Sequence, residues 1–194
     1  MIELEKKLLL TKDEYDCLME NFGYKSHLIQ KPIVTQINYY FDTDDFWMNR
    51  QNVTCRIRLK DKKYKAIMKQ HSRSSDRSTE TEMKIHTGLD NNAFTDMGLK
   101  LQGALITKRC VILKDTGYEV VLDKNEYLGH TDYELEVEYV QSFEHRSECI
   151  LNMIINSLPN SSTTFPMQNL NDRILNTPSK STRFFKRRLT TGRR

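Results

Sequence analysis

Carboxylates occupy every second position in two segments near the ends of the sequence. The stretch IELEKK holds Glu3 and Glu5, followed by Lys7 at the same spacing. The stretch YELEVEY holds three more carboxylates: Glu134, Glu136 and Glu138. Alternate residues of a β-strand point to one face of the sheet, where like charges repel each other. Two such strands therefore indicate a shared divalent cation, which carboxylate oxygens are suited to hold.

Long charged side chains alternate in the same manner through the middle of the chain. The basic ones are Arg56, Arg58 and Lys60 in CRIRLK, Lys65 and Lys69 in KAIMK, and Arg109 in LITKR. Further carboxylates with this spacing are Glu80 and Glu82 in ETE and Asp123 in VVLD. Rows of Arg and Lys suit a polyanion such as a run of phosphates, which glutamates would repel unless a divalent metal bridged the two. Lys, Arg and carboxylate-held Mg²⁺ together indicate phosphoryl-transfer chemistry.

The charged residues lie in segments that alternate like β-strands. We predict strands at the N-terminus and over residues 35–43, 53–60, 63–70, 78–85, 104–113, 117–127 and 132–140. Helical spacing predicts helices over residues 11–23, 89–103, 143–158 and 167–177, the first with a capping box formed by Thr11 and Glu14. In the third helix the residues expected to face inward are Phe143, Cys149, Ile150, Met153 and Ile154.

About eight mostly antiparallel strands in local order favour an α+β fold in which one sheet curls into a barrel. If helices cover the apolar outer face of this barrel, the charged faces must point into its lumen. A half-buried sheet with a solvated polar face would also alternate in this way. The repetition of long acidic and basic side chains at matching positions favours the lumen. We see no internal repeat, and we predict one domain over residues 1–190.

Composition narrows the function classes. The chain has 194 residues and a net charge of +4. It lacks an apolar run long enough to span a membrane and a typical signal peptide, which indicates a cytoplasmic protein without a membrane partner. The scattered Cys17, Cys55, Cys110 and Cys149 are expected to be buried thiols, and the five histidines to be surface or packing residues. The basic tail STRFFKRRLTTGRR supports nucleic-acid binding only weakly, and we expect a solvated end there.

The ordered set of motifs resembles the CYTH superfamily, the triphosphate tunnel metalloenzymes. IELEKK resembles the opening E-x-E-x-K pattern of that family, and the other similar segments follow in the family's order over roughly residues 1 to 190. These segments are CRIRL, KAIMK, ETE, LITKR, VVLD and YELEVE. Motifs for nucleotide-binding loops and common hydrolases, including the Walker type, the Rossmann fingerprint, H-E-x-x-H and G-x-S-x-G, are absent from the sequence.

The resemblance implies an eight-stranded antiparallel tunnel whose members hydrolyse inorganic triphosphate, thiamine triphosphate or nucleoside triphosphates with Mg²⁺ or Mn²⁺. The implied metal ligands are Glu3, Glu5, Glu134, Glu136 and Asp123. The implied phosphate-binding residues are Lys7, Arg56, Arg58, Lys69 and Arg109, with Lys180 and Arg183 closing the tunnel. Glu80, Glu82 and Glu138 would play supporting roles, and Glu5, Glu136 and Lys7 would be catalytic.

The expected reaction is attack of a metal-positioned water on the terminal phosphorus of inorganic triphosphate, with Lys and Arg stabilising the leaving pyrophosphate. Other readings stay open at this point. One branch of the family makes cyclic AMP from ATP, a thiamine triphosphatase would favour an aromatic residue at the tunnel mouth, and a polyphosphate- or RNA-binding module would do little chemistry. Tyr39, Tyr40 and Trp47 are expected to be packing residues, and the chain to be a monomer or a homodimer.

Overall fold

The computed structural model describes residues 2–23, 33–71, 77–83, 92–158, 173–174 and 176–191. The strands are β1 (Ile2–Leu10), β2 (Val34–Asp42), β3 (Val53–Lys60), β4 (Lys63–His71), β5 (Arg77–Met83), β6 (Lys100–Asp115), β7 (Tyr118–Tyr127) and β8 (His130–Tyr139). The helices are α1 (Lys12–Leu18), α2 (Trp47–Arg50), α3 (Asn92–Thr95), α4 (Glu144–Asn156) and α5 (Lys180–Thr191). None of the described helices has the length and apolar character that a bilayer-spanning segment requires.

The eight strands form a closed barrel in the order β1-β5-β4-β3-β2-β6-β7-β8. Every pair of neighbours is antiparallel, and β1 closes the ring because it pairs with β8 along one edge and with β5 along the other. The fold class predicted from the sequence is therefore confirmed. Closure gives each strand an inner and an outer face, so one residue in two points into the barrel.

The outer face of the barrel is apolar and is covered by helices. One cluster joins Leu8, Leu122 and Leu135 of the sheet to Leu18 of α1 and Ile154 of α4. A second cluster joins strands β2, β3 and β4 to Met48 of α2 and Phe94 of α3: its sheet residues are Phe41, Cys55, Ile57 and Ala66. Hydrophobic burial of this face leaves the opposite, charged face inside, as the alternation predicted.

Some predicted elements differ from those in the structure. Residues 89–91 of the helix predicted over residues 89–103 lie outside the described residues. The described part is helical only in α3, because Gly98 adopts a positive φ of 76° and strand β6 begins at Lys100. In α4 the prediction that Cys149 and Met153 face inward is wrong, since both are exposed, whereas Leu151 is buried beside Ile150 and Ile154. Of the four cysteines, Cys55 and Cys110 are buried thiols as expected. The helix predicted over residues 167–177 lies mostly outside the described residues.

Helix α5 enters one end of the barrel with its first turns, whereas Leu189, Thr190 and Thr191 at its far end are exposed. Phe184 and Phe185 are buried against residues on the inner faces of three strands: Tyr40, Leu105 and Tyr127. The ring centroids of Phe184 and Tyr40 are 4.7 Å apart. Gly103 permits this approach, because a Cβ atom there would lie 3.0 Å from Phe184 Cζ and the residue adopts φ 143°. An apolar plug thus fills the barrel end that these residues line.

Replacing Phe184 with alanine tests the contribution of this plug to stability. Phe184 is fully buried, and we expect Phe184→Ala to lower the free energy of unfolding by about 3–5 kcal/mol, the usual cost of truncating a core Phe. Chemical denaturation followed by circular dichroism measures this change. Leu189→Ala in the same helix is the matched control, because Leu189 is 44% exposed and its truncation should cost less than about 1 kcal/mol. Equal losses in the two variants would contradict the plug.

Candidate active site

Beyond the plug, the barrel interior holds a cavity of about 220 Å³. Seven cationic side chains line it: Lys7, Arg56, Arg58, Lys60, Lys69, Arg109 and Lys180. Five carboxylates line it as well: Glu5, Glu80, Glu119, Glu136 and Glu138. No Phe, Tyr or Trp occurs among the described residues of its wall. The cavity is therefore strongly polar, with more positive than negative groups.

Strand alternation places these side chains in the cavity. Glu5 and Lys7 point inward from β1, and Arg56 and Arg58 point inward from β3. The residues between them face outward: Ile57 packs in the core and Lys6 pairs with Glu148. Two of the predicted site residues, Glu82 and Glu3, are not among the side chains seen in the cavity. Glu82 is exposed and pairs with Lys65 at 2.9 Å, and the side chain of Glu3 lies outside what the structure describes.

Three carboxylates lie together on the acidic side of the barrel: Asp123, Glu134 and Glu136. We call these three residues the carboxylate cluster, and the cluster together with Glu5 the acidic wall. They lie on neighbouring strands, since Asp123 of β7 pairs with Glu134 of β8 in register. All three are buried, Asp123 and Glu134 completely. Lys180 at the start of α5 contacts each of them, with Nζ 3.0 Å from Asp123, 2.8 Å from Glu134 and 3.2 Å from Glu136.

Two arginines complete the charge balance of the carboxylate cluster. Arg109 contacts Asp123 at 2.7 Å and also pairs with Glu136, while Arg183 contacts Glu134 at 2.8 Å. Because unpaired buried charges are costly, each carboxylate here has at least two cationic partners.

The charges of these partners set the ionisation of the cluster. Burial alone would raise the pKa of Glu136, but Lys180, Arg109 and Lys7 outweigh it and hold that pKa well below its usual range. Lys180 and Arg183 lower the pKa of Glu134 against the same effect of burial. In return, the carboxylates outweigh desolvation and raise the pKa of Lys180 and of Arg109. Both glutamates therefore stay ionised at neutral pH.

Arg58 differs from the other cations of the cavity. In the described part of the chain it forms no ion pair and donates one hydrogen bond, from Nε to Asn38 Oδ1 at 3.0 Å. Burial, together with the like charges of Arg56 and Arg109, lowers the pKa of Arg58 to about 10. Arg56 pairs with Glu80 at 2.6 Å, but its Nε is buried without a hydrogen-bond partner among the described residues. Both arginines therefore have donors available for an anion.

Lys7 and Lys69 link the acidic and basic sides of the cavity. Lys7 is hydrogen-bonded to Glu5, and the charges of Glu5, Glu136 and Glu134 outweigh desolvation to raise the pKa of Lys7. Lys69 lies 3.6 Å from Glu5 and 3.8 Å from Glu80. The two ammonium groups are thus held in the lumen by neighbouring carboxylates.

The donor chemistry of the acidic wall fits Mg²⁺ or Mn²⁺, because these cations prefer carboxylate oxygens. Glu134 is fully buried, and its Oε1 has no hydrogen-bond partner among the described residues. This carboxylate oxygen is therefore available to a metal ion. The described side chains do not form a preassembled cluster of three or more possible metal ligands. Ion pairs with Lys180 and the arginines hold the carboxylates instead.

Sequence reasoning missed a hydroxyl and imidazole cluster on the cavity wall. Thr54 Oγ1 lies 3.0 Å from His71 Nε2 and donates a hydrogen bond of 2.9 Å to Ser181 Oγ, and Ser179 is 2.9 Å from Ser181. The interpretation of all histidines as surface or packing residues is thus wrong for His71. The signal was present, because Thr54 shares the alternation of Arg56, and His71 that of Lys69.

Comparison with known proteins agrees with this architecture. A family model of the CYTH domain matches residues 1–144. YjbK of Bacillus subtilis (strain 168), provisionally named a triphosphatase, is 30% identical over 159 residues, which are 75% of this chain and 81% of YjbK. A solved structure from Bacillus halodurans, provisionally named an adenylate cyclase, is 28% identical, with 94% of this chain and 97% of that chain covered and a TM-score of 0.62.

The fold extends to more distant proteins. HpAC1 from Hippeastrum, provisionally named an adenylyl cyclase and described as having a dominant triphosphatase activity, is 19% identical. That match covers 95% of both chains with a TM-score of 0.62. The family model spans most of the sequence, and the charged barrel interior agrees with it. This chain belongs to the CYTH family.

Proposed function

We propose that this protein is a metal-dependent triphosphatase that hydrolyses inorganic triphosphate to pyrophosphate and phosphate in the barrel cavity. The observation that carries the proposal is a polar cavity with an excess of cations, among which Arg58 has no carboxylate partner in the described chain. An arginine in a buried site without a counter-ion is stabilised when an anion binds, and its planar donors match phosphate oxygens.

The wall of the cavity favours inorganic triphosphate over a nucleotide. Base recognition usually employs apolar or aromatic surfaces, and the described wall contains no Phe, Tyr or Trp. Tyr40 is buried against Phe184, and neither Tyr39 nor Trp47 lines the cavity. The provisional name of YjbK supports a triphosphatase, and the provisional name of the Bacillus halodurans protein makes a cyclase the competing outcome.

The acidic wall is the part of the site that would hold the metal. The carboxylates of Glu5 and Glu136 line the cavity, those of Asp123 and Glu134 are buried beside them, and Glu3 remains a predicted ligand. When bound, Mg²⁺ or Mn²⁺ supplies Lewis-acid polarisation of phosphate oxygens and lowers the pKa of bound water. The low pKa of Glu136 keeps its carboxylate ionised for this role at neutral pH.

The basic wall binds and orients the substrate. Arg56, Arg58 and Lys69 project from the adjacent strands β3 and β4, so a row of phosphates can contact them in sequence. The oxygen of a water molecule bonds to the terminal phosphorus of triphosphate. The bond between this phosphorus and the oxygen that bridges it to the next phosphorus breaks at the same time. Negative charge then develops on the leaving pyrophosphate, where Arg and Lys donors stabilise it more strongly than in the ground state.

Lys7 is the proposed link between the two walls. Its ammonium is hydrogen-bonded to Glu5, and Glu136 is its partner residue across β1 and β8. In this position Lys7 fixes the orientation of the Glu5 carboxylate and presents positive charge to the phosphates. We therefore assign Glu5, Glu136 and Lys7 as catalytic residues, with Lys180 and Arg109 at the border of the substrate and the acidic wall.

A substrate profile tests the proposed function directly. Purified protein should release phosphate from inorganic triphosphate in the presence of Mg²⁺ or Mn²⁺, with kcat/KM at least about tenfold above that for ATP or thiamine triphosphate. The physical reason is the absence of a surface that would bind the organic part, and tenfold corresponds to about 1.4 kcal/mol. Chelator should abolish release. If cyclic AMP were the main product from ATP, the protein would be a cyclase and the proposed function would be wrong. If no substrate were turned over, a binding module would be the better interpretation.

Replacing Glu136 tests the acidic wall. Glu136→Gln keeps the shape but removes the charge, and we expect kcat for metal-dependent release to fall by about 10²–10³-fold, the usual cost of losing one electrostatic group at a reaction centre. The matched control is Glu126→Gln on β7, because Glu126 lies at the surface and pairs with Lys124 at 2.7 Å. Wild-type turnover by a folded Glu136→Gln variant would contradict the assignment.

Replacing Arg58 tests the basic wall. Arg58→Ala removes donors that have no carboxylate partner in the described chain, so we expect weaker binding of triphosphate without loss of an internal ion pair. A charged hydrogen bond is worth about 1.5–3 kcal/mol, which predicts a rise in KM of roughly 10- to 150-fold. Steady-state kinetics over a range of triphosphate concentrations measures this. Lys65→Ala at the exposed pair with Glu82 should leave KM unchanged, and an unchanged KM in Arg58→Ala would refute the role.

A further inference from the structure

The side chain of Lys180 borders both the cavity and the carboxylate cluster. It lines the cavity, yet its Nζ lies within 3.2 Å of all three members of the carboxylate cluster. Its side chain is only 13% exposed. A single ammonium therefore occupies the point at which three carboxylates on two strands converge.

The carboxylate cluster keeps other cationic partners without Lys180. Arg109 remains paired with Asp123 and Glu136, and Arg183 remains paired with Glu134. Release of Lys180 from these contacts would thus leave no buried carboxylate without a positive neighbour. Lys180 is the cation that the cluster can exchange at the lowest cost, because its removal breaks no bidentate arginine pair.

The backbone around Lys180 also favours an exchange that is limited to the side chain. Lys180 is the first residue of α5, and the helix is anchored farther along by Phe184, Phe185 and Arg183, all of which are buried. A lysine side chain has four rotatable bonds beyond its backbone, so the ammonium can move by several ångströms while the helix stays in place.

A divalent cation bound to the carboxylate cluster would compete with this ammonium. Two cations cannot occupy the same point, and their repulsion is strong where water is largely excluded. We propose that Lys180 is a resident counter-ion which a divalent cation must displace from Asp123, Glu134 and Glu136, and which then turns toward the anionic substrate in the cavity. This inference rests on the metal-binding role in the proposed function.

Mn²⁺ binding without substrate tests the proposal. Lys180→Gln removes the competing ammonium but retains a polar side chain, and we expect the Kd for Mn²⁺ to fall at least tenfold relative to wild type. The electron paramagnetic resonance signal of free Mn²⁺, titrated with protein, gives this Kd. An unchanged or higher Kd would overturn the proposal. Because no triphosphate is present, the result is independent of whether the protein hydrolyses that substrate.

Arg58→Gln is the matched control for charge alone. Arg58 lines the same cavity but forms no ion pair among the described residues, so its loss removes one positive charge without freeing a carboxylate. We expect the Kd for Mn²⁺ to change by less than about threefold in this variant. An equal gain in affinity for Lys180→Gln and Arg58→Gln would show a general effect of lumen charge and overturn the specific role of Lys180.

Thermal unfolding provides a second measurement that does not depend on activity. Without metal, Lys180→Gln should have a lower Tm than wild type, because three buried carboxylates lose a partner. The same concentration of Mn²⁺ should raise the Tm of Lys180→Gln more than that of wild type, since a ligand stabilises the folded state by RT ln(1 + [L]/Kd), which increases as Kd falls. Lys180→Arg retains a cation, so it should show no gain in Mn²⁺ affinity. A tenfold gain in Lys180→Arg would also overturn the proposal.

Discussion

Compensation of charge inside a closed barrel is the constraint on which this structure depends. Closure of the sheet turns one residue in two toward the lumen, and water cannot solvate all of these groups. The buried carboxylates of Asp123, Glu134 and Glu136 therefore need cations of the protein itself. Arg109 supplies one from strand β6, but two others, Lys180 and Arg183, come from the C-terminal helix. The barrel and α5 are thus held together by charge as well as by apolar packing.

Charge compensation is complete on one side of the lumen and incomplete on the other. Strands β7 and β8 contribute the carboxylate cluster, in which each member has at least two cationic partners. Strand β3 contributes Arg58, which forms no ion pair in the described chain. This asymmetry gives the cavity an acidic wall suited to a divalent cation and a basic wall suited to phosphates. A metal-bound polyphosphate, the substrate proposed above, would contact both walls.

The sequence predicted the barrel and the residues that face its lumen because strand alternation is local and has a fixed period of two. Confirmed local features include the capping box of Thr11 and Glu14 and the two strands predicted over residues 53–60 and 63–70, which only Asp61 and Lys62 separate. The position of β1 between β5 and β8 could not be derived from alternation, since it is a long-range pairing. The burial of Phe184 and Phe185 was not predicted for a related reason: these side chains occupy the barrel because of partners distant in the sequence.

Individual ion pairs in the lumen were also beyond sequence reasoning. Alternation shows that the lysine, arginine and glutamate side chains of the strands share a lumen. Several cations there lie within reach of several carboxylates, and small differences in distance decide the pairing. Lys180 was expected to contact phosphates, and the structure places it against the carboxylate cluster, although it also lines the cavity. Contact with the carboxylates does not rule out contact with a phosphate, because both anions can compete for the same ammonium. In the exchange proposed above, the ammonium that balances the acidic wall in the free protein would bind substrate once another cation takes its place.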